Sequence, residues 1–378
     1  MTRRVLLIDP VCPDPYQART LYDRALGAPE ASVVRVAEGL AQAGHRVTVA
    51  QRGRTWPSRS PGGVAYVPFA YGGDWGHLPR AEAVVVVRQA KVLARTRARF
   101  PDARLALWLH ETPGSRQRAL GPALLAARAT AVCPSNAHRA AFHDFLLQKA
   151  GDGPASAPSA RVYGPVDDDL RPDRTAVDPD KLVAFASPGG ALDEVLAAFA
   201  HVRRRRPTAR LVVADLGGRG GRPALPEGAV ALGPLPHREV LRHVREAFAV
   251  FAPQTRVGGA LALAFAEANA VGTPVVAHPH AAACEALAEA VGEQRQLVDA
   301  RDPSASARRL ARWWDEGRPG VAGAPRFRTH RVVRDWERLL GLDRADRPAL
   351  RVPVAVAVPA AAPPVAAPPV AAPPVAAA

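Results

Sequence analysis

The sequence predicts an α/β protein built as two similar domains, each a parallel sheet with helices on both faces, meeting across a cleft. Three observations carry this. Short apolar runs alternate with stretches of helical spacing, the pattern of strands buried on both faces. The alternation comes as two series, parted by the Gly/Pro/Ala/Ser segment Gly151–Ser159. The length of 378 residues, less a tail that cannot pack, leaves about 345, a comfortable size for two domains.

The first series opens with strand Val5–Ile8, then helix Ala31–Gly44, where Val33, Val34, Ala37 and Leu40 share one face. Strands follow at Val47–Ala50, Val84–Val87, Leu105–Leu109 and Ala131–Pro134, the last after a Leu/Ala-rich helical segment. The second series runs strand Leu182–Ala186, helix Leu192–Arg206, then strands Leu211–Ala214 and Val230–Leu232. Helix Arg238–Ala247, strand Ala249–Ala252, helix Ala262–Ala270 and strand Pro274–Ala277 complete it, and Trp336–Leu340 closes the folded part as a short amphipathic helix.

From Pro348 onward the chain is almost wholly Ala, Pro and Val, with AAPPV repeated. Proline removes donors and alanine buries little, so residues 345–378 are expected to be a disordered, extended tail. No apolar run reaches the roughly 20 residues of a membrane helix, and the first residues do not read as a signal peptide. Cys12, Cys133 and Cys284 are too few and too scattered for a disulfide framework or a zinc cluster, which suits a reducing cytoplasm.

The formal charge of +15 invites a nucleic-acid reading. Only Lys91, Lys149 and Lys181 are lysines among 50 Lys and Arg, and aromatics make up 6%, with no stretch that interleaves them with arginine for base stacking. A specific nucleic-acid partner is therefore not expected. The run Arg203–Arg206 before Pro207 suits the carboxyl end of a helix dipole; contact with phosphate or an anionic membrane face is the other reading.

Phe251–Ala277 holds the densest chemistry: strand, glycine turn, helix, glycine cap, strand. Gly258 and Gly259 let backbone N–H groups approach an anion at a helix start. Glu267 lies near the carboxyl end of that helix, against the dipole, which fits a carboxylate accepting hydrogen bonds from a ribose diol; a solvated helix glutamate is the plainer reading. Gly272 is expected to cap the helix, with Thr273-Pro274 opening the next strand. Asp167-Asp168-Asp169 reads as solvated loop acids rather than a metal site. Gly217–Gly221 opens no helix and gives no dinucleotide fingerprint.

These segments resemble the retaining glycosyltransferases with two Rossmann-like domains, the group 1 or family 4 type with a GT-B-like fold. Glu267-Ala268-Asn269-Ala270 and Gly272-Thr273-Pro274-Val275 match the second half of the family's donor-site signature. Leu26-Gly27-Ala28-Pro29-Glu30, Gly44-His45-Arg46-Val47, Trp108-Leu109-His110-Glu111, Cys133–His138, Gly164-Pro165-Val166-Asp167 and Trp336–Leu340 resemble other family segments. Two positions depart. The first glutamate of the family's pair falls on Gly259, and the lysine that meets the donor diphosphate falls on Gly190, so the donor motif is degenerate.

The resemblance implies an N-terminal acceptor-side domain over residues 1–160 and a nucleotide-sugar domain over 161–330, followed by the terminal helix at 331–344. It implies transfer of a sugar from a nucleotide-sugar donor, with retention, to a glycan, lipid or small-molecule acceptor; the alternative is a degenerate fold that binds nucleotide or protein without transfer. His110 and Glu30 would face the transferred sugar as catalytic residues. Glu267, Gly27, Ser187, Gly189, Gly190, Gly258, Gly259 and Thr273 would hold the donor. No metal or separate cofactor is called for, since helix amino ends can carry phosphate charge. The expected location is cytoplasmic, with peripheral contact at an anionic membrane face left open.

Overall fold

The computed structural model describes residues 2–114, 117–149, 157–186, 190–214, 225–255, 259–287 and 293–343. The Gly217–Gly221 loop, the segment 150–156 and the tail lie outside them.

The first sheet contains β1 (Arg4–Asp9), β2 (Arg46–Gln51), β3 (Ser58–Arg59), β4 (Ala65–Pro68), β5 (Ala83–Val87), β6 (Arg104–Trp108), β7 (Ala129–Cys133) and β8 (Ser159–Arg161). Their order is β3-β4-β2-β1-β5-β6-β7-β8, with only β3 antiparallel. Central strand β5, Ala-Val-Val-Val-Val, is buried at every position because helices cover both faces, and β-branched residues suit such a site. Between the strands run α1 (Thr20–Asp23), α2 (Ala28–Gln42), α3 (Leu93–Arg99), α4 (Leu120–Ala126) and α5 (Asn136–Lys149).

The second sheet has order β11-β10-β9-β12-β13, all parallel, from β9 (Asp178–Phe185), β10 (Arg210–Ala214), β11 (Ala229–Gly233), β12 (Ala247–Ala252) and β13 (Val275–Ala277). Helices α6 (Gly190–Arg205), α7 (His237–Glu246), α8 (Gly259–Ala270), α9 (Ala281–Leu287), α10 (Glu293–Gln296) and α11 (Pro303–Glu316) accompany it, and α12 (Thr329–Leu340) ends the described chain. The fold is thus α/β with two Rossmann-like sheets.

Several details differ from the sequence expectations. Helix α2 begins at Ala28, three residues early, because Pro29 falls in the first turn, where a fixed φ and a missing N–H cost nothing. Ser159 is not in a linker but pairs with Ala131, so the first sheet runs to Arg161. The short strands β3, at the sheet edge, and β4 beside it carry too little apolar pattern to be read from sequence. Helix α12 starts at Thr329, since Val332 and Val333 extend its buried stripe to Trp336 and Leu340. It packs on α2 of the first half: a Cβ on Gly39 would collide with Val333, and Trp336 meets Trp108 edge-on at 4.8 Å. His45 Nε2 lies 2.9 Å from Glu337 Oε1.

The arginine run at the end of α6 is spent locally. Arg203 pairs with Glu227, and Arg206 pairs with Asp180 beneath the Trp314 ring. The helix-end reading holds for these two residues. Elsewhere, Glu285 on α9 reaches the first half: it accepts from the backbone N–H groups of Asn136 and Ala137 at 2.8 and 3.1 Å and from the Tyr163 hydroxyl at 2.7 Å. The carboxylate thereby satisfies two orphan donors at the start of α5.

Candidate functional site

A doubly wound sheet has a crevice where strand order reverses, beyond the carboxyl ends of the two strands that flank the reversal. In the first sheet that point lies between β1 and β5; in the second, between β9 and β12. Asp9 ends β1, and Arg88 follows β5. Phe185 ends β9, and Gln254, just past β12, donates to the Phe185 carbonyl at 3.1 Å. Among the described residues, a cavity of about 990 Å3 is lined from the first half by Gly27, Glu30, Arg35, Arg88 and His110, and from the second by Phe185, His237 and Glu267.

The first-half wall is an ion network. Asp9, fully buried, accepts from the backbone of Val11 and Cys12, from the Tyr16 hydroxyl at 2.8 Å and from Arg88 Nη2 at 3.0 Å. The same Arg88 nitrogen donates to Glu30 Oε1 at 2.8 Å. Burial works against the Arg88 charge, but Asp9 and Glu30 outweigh it and hold the guanidinium above its ordinary range. Arg88 does this at φ +64°, a left-handed conformation costing a non-glycine residue about 1–2 kcal/mol. Glu30 is therefore engaged rather than loose. Its other oxygen folds back to Gly27, where an added Cβ would push the end of the Glu30 side chain aside.

His110 sits beyond the end of β6 with its ring 4.7 Å from that of Trp108. Burial first, then Arg88 and His138, pull its pKa down to about 3, so the imidazole is neutral near pH 7. Its Nε2 is buried with no hydrogen-bond partner among the described residues. A neutral ring in this place can orient a hydroxyl but does not deliver a proton at neutral pH.

Glu267 is only 7% exposed, which removes the solvated-helix reading. Helix α8 is pinned at its end: Asn269 and Gln296 exchange side-chain hydrogen bonds at 2.9 and 3.0 Å, and Gln296 also accepts from Val275 N at 2.7 Å. Gly272 caps the helix at φ +82° as expected. The Glu267 Oε1 atom stands 3.6 Å from Arg35 Nη2 and 3.1 Å from His237 Nε2. Arg35, 5% exposed, grips Asp167 with two hydrogen bonds of 2.7 and 2.9 Å. Burial opposes its charge, yet Asp167 and then Glu267 hold it above the ordinary arginine range. The solvated-acid reading is corrected at Asp167 alone, which clamps a buried cation; Asp168 and Asp169 are exposed, with Asp168 accepting from His330 N at 3.1 Å and lying 2.8 Å from its Nδ1.

Of the sequence-expected residues, Gly27, Glu30, His110 and Glu267 line one cavity. Thr273 does not: it is 1% exposed, and its hydroxyl donates to the Val244 carbonyl at 2.8 Å, tying α7 to the loop after α8. Gly190 and Gly259 begin α6 and α8. Ser187, Gly189 and Gly258 lie outside the described residues. Sequence reading missed Arg35, Arg88, Asp9 and His237. Every arginine or lysine lining the cavity among the described residues (Arg24, Arg35, Arg88) comes from the first half. Also among the described residues, no group of three or more His, Cys, Asp or Glu is placed to hold a metal, and no helix is long and apolar enough to cross a membrane.

Residues 183–319 match the family model described as glycosyl transferases group 1. Solved structures similar in fold include a glycosyltransferase of avilamycin A biosynthesis, at 20% identity and TM-score 0.50, covering 89% of this chain and 93% of that one. The Anabaena protein HepE, solved with UDP and glucose, gives 14% identity and TM-score 0.53, covering 90% of this chain and 100% of that one. A glycosyltransferase from Rickettsia africae gives 10% identity and TM-score 0.55, covering 90% and 94%. No curated protein matches by sequence. Residues 183–319 are thus similar to group 1 glycosyltransferases, and the solved structures share the GT-B fold of two Rossmann-like sheets.

Proposed function

We propose that the protein transfers a sugar, with retained anomeric configuration, from a nucleotide-sugar donor to a glycan, lipid or small-molecule acceptor. The observation that carries the reading is the buried Glu267 carboxylate on the cavity wall, inside the matched segment and opposite the first sheet's switch point. In this reading the donor lies along the second half with its ribose on Glu267. Its diphosphate points toward the amino ends of α6 and α8, whose backbone N–H groups and dipoles favour negative charge. Gly190 and Gly259 place no side chain there. His110, neutral, orients a hydroxyl of the transferred sugar, and Glu30, fixed by Arg88, faces the same space from the first half. Approach of the two halves aligns donor and acceptor and excludes water. Retention is inferred from the resemblance of residues 251–277 to the retaining family.

A second reading, nucleotide binding without transfer, is favoured by glycine at both 190 and 259. A panel of nucleotide sugars, assayed for transfer or hydrolysis, separates the two. Turnover with a retained anomeric product, read by NMR, supports transfer. An inverted product refutes retention, and nucleotide binding with no turnover on any donor favours the second reading.

A further inference from the structure

Two buried polar atoms meet in the cavity without satisfying each other. His237 Nε2 and Glu267 Oε1 lie 3.1 Å apart, yet among the described residues neither has a hydrogen-bond partner of acceptable geometry. Arg35 Nη2, at 3.6 Å, is beyond hydrogen-bond distance of the same oxygen. Buried groups left in this state cost free energy that a fitting ligand recovers. We propose that His237 is a specificity-determining residue that acts with Glu267 to recognise the vicinal diol of a ribonucleoside diphosphate. The inference rests on the donor-site reading above.

The chemistry of the pair selects the ligand group. A carbonyl accepts but cannot donate to the carboxylate, and an ammonium donates but cannot accept from the imidazole. A hydroxyl does both: it donates to Oε1 and accepts from the Nε2–H tautomer of His237. The neighbouring hydroxyl of a vicinal diol then donates to the other oxygen of Glu267. The surrounding wall fits a nucleoside. His237 opens α7 after Pro236, and Pro234, Leu235, Val240 and Leu241 line the cavity beside it as an apolar face suited to a base. Helix α7 brings His237 and α8 brings Glu267, so the pair depends on two elements that Thr273 ties together through its bond to Val244.

The test is calorimetry on the full chain with whichever of UDP, GDP and ADP binds, together with its 2′-deoxy and 3′-deoxy analogues. The wild type should bind the ribonucleotide at least about tenfold more tightly than one of the deoxy analogues. His237→Phe, which keeps ring bulk and loses the donor, should weaken the ribonucleotide at least about fivefold while leaving the deoxy analogue within about twofold. His237→Gln, which keeps a side-chain N–H, should recover part of the preference. Equal ribo-to-deoxy ratios in wild type and His237→Phe overturn the proposal, as does a wild type that does not discriminate. If His237→Phe does not fold, the wild-type ratio and His237→Gln decide in its place. Binding that depends on Glu267 but shows no His237 effect sinks this inference alone; absence of any nucleoside diphosphate binding sinks the donor-site reading with it.

Discussion

Replacing Arg35 with methionine removes the cation between Asp167 and Glu267 while keeping the length of the side chain. Its side chain is 4% exposed and that of Glu267 is 9% exposed, so the change strands a carboxylate in the cleft wall. Breaking a buried pair from one side costs about 3–5 kcal/mol. The Asp167 carboxylate is 36% exposed, and water recovers part of its loss, which puts the expected cost near the lower end, about 3 kcal/mol. With an unfolding entropy of about 2.1 cal/mol/K per residue over roughly 340 residues, that cost lowers Tm by about 4 °C. A double-mutant cycle with Asp167→Asn should give a coupling of about 1.5–3 kcal/mol, the range of charge-assisted hydrogen bonds. Denaturant titration and thermal melts measure both. A Tm within about 1 °C of wild type, together with a coupling below about 0.5 kcal/mol, would falsify the buried-clamp argument.

Two further outcomes follow from the geometry. His110 titrates at 6.5 when unperturbed but at about 3 in the fold, so below pH 6.5 the unfolded chain binds the extra proton. Stability should therefore fall as pH drops from 6.5 toward 3, with this residue contributing up to about 1.4 kcal/mol per pH unit, and His110→Gln should flatten that limb. An unchanged acid limb in urea titrations would contradict the assignment. Gly272→Ala places a Cβ at φ +82° and 3.0 Å from Pro172 Cγ, which should cost about 1–2 kcal/mol in the same titrations; a neutral effect would mean that the cap relaxes.

Local pattern made much of the architecture legible. Val84–Val87 and Ala249–Ala252 read as buried strands because burial on both faces leaves no polar alternation, and Gly272 read as a cap because a single residue type fits a left-handed stop. Glu267 stood out because its charge opposes the dipole of its own helix, and the structure shows it buried on the cavity wall. The partners of these residues were not legible. Arg35 meets Asp167 across 132 positions, and Arg88 meets Asp9 across 79. In a chain with 50 Lys and Arg, nothing local marks which cation is buried. Thr273 shows the opposite: the resemblance of the Gly272–Val275 run to the family suggested the site, but its hydroxyl turns inward to the Val244 carbonyl.

Those buried contacts also relocate the positive charge. The position where the resembling family keeps its phosphate lysine is Gly190, while among the described residues the arginines that line the cavity, Arg24, Arg35 and Arg88, sit on the first half.

Calorimetric titration of the full chain with UDP, GDP and ADP, repeated on Glu267→Ala, tests the central claim most directly. The donor-site account predicts that one of the three binds and that the substitution weakens it at least about tenfold, the loss of one charge-assisted contact. Binding of none, or equal binding by both proteins, contradicts it.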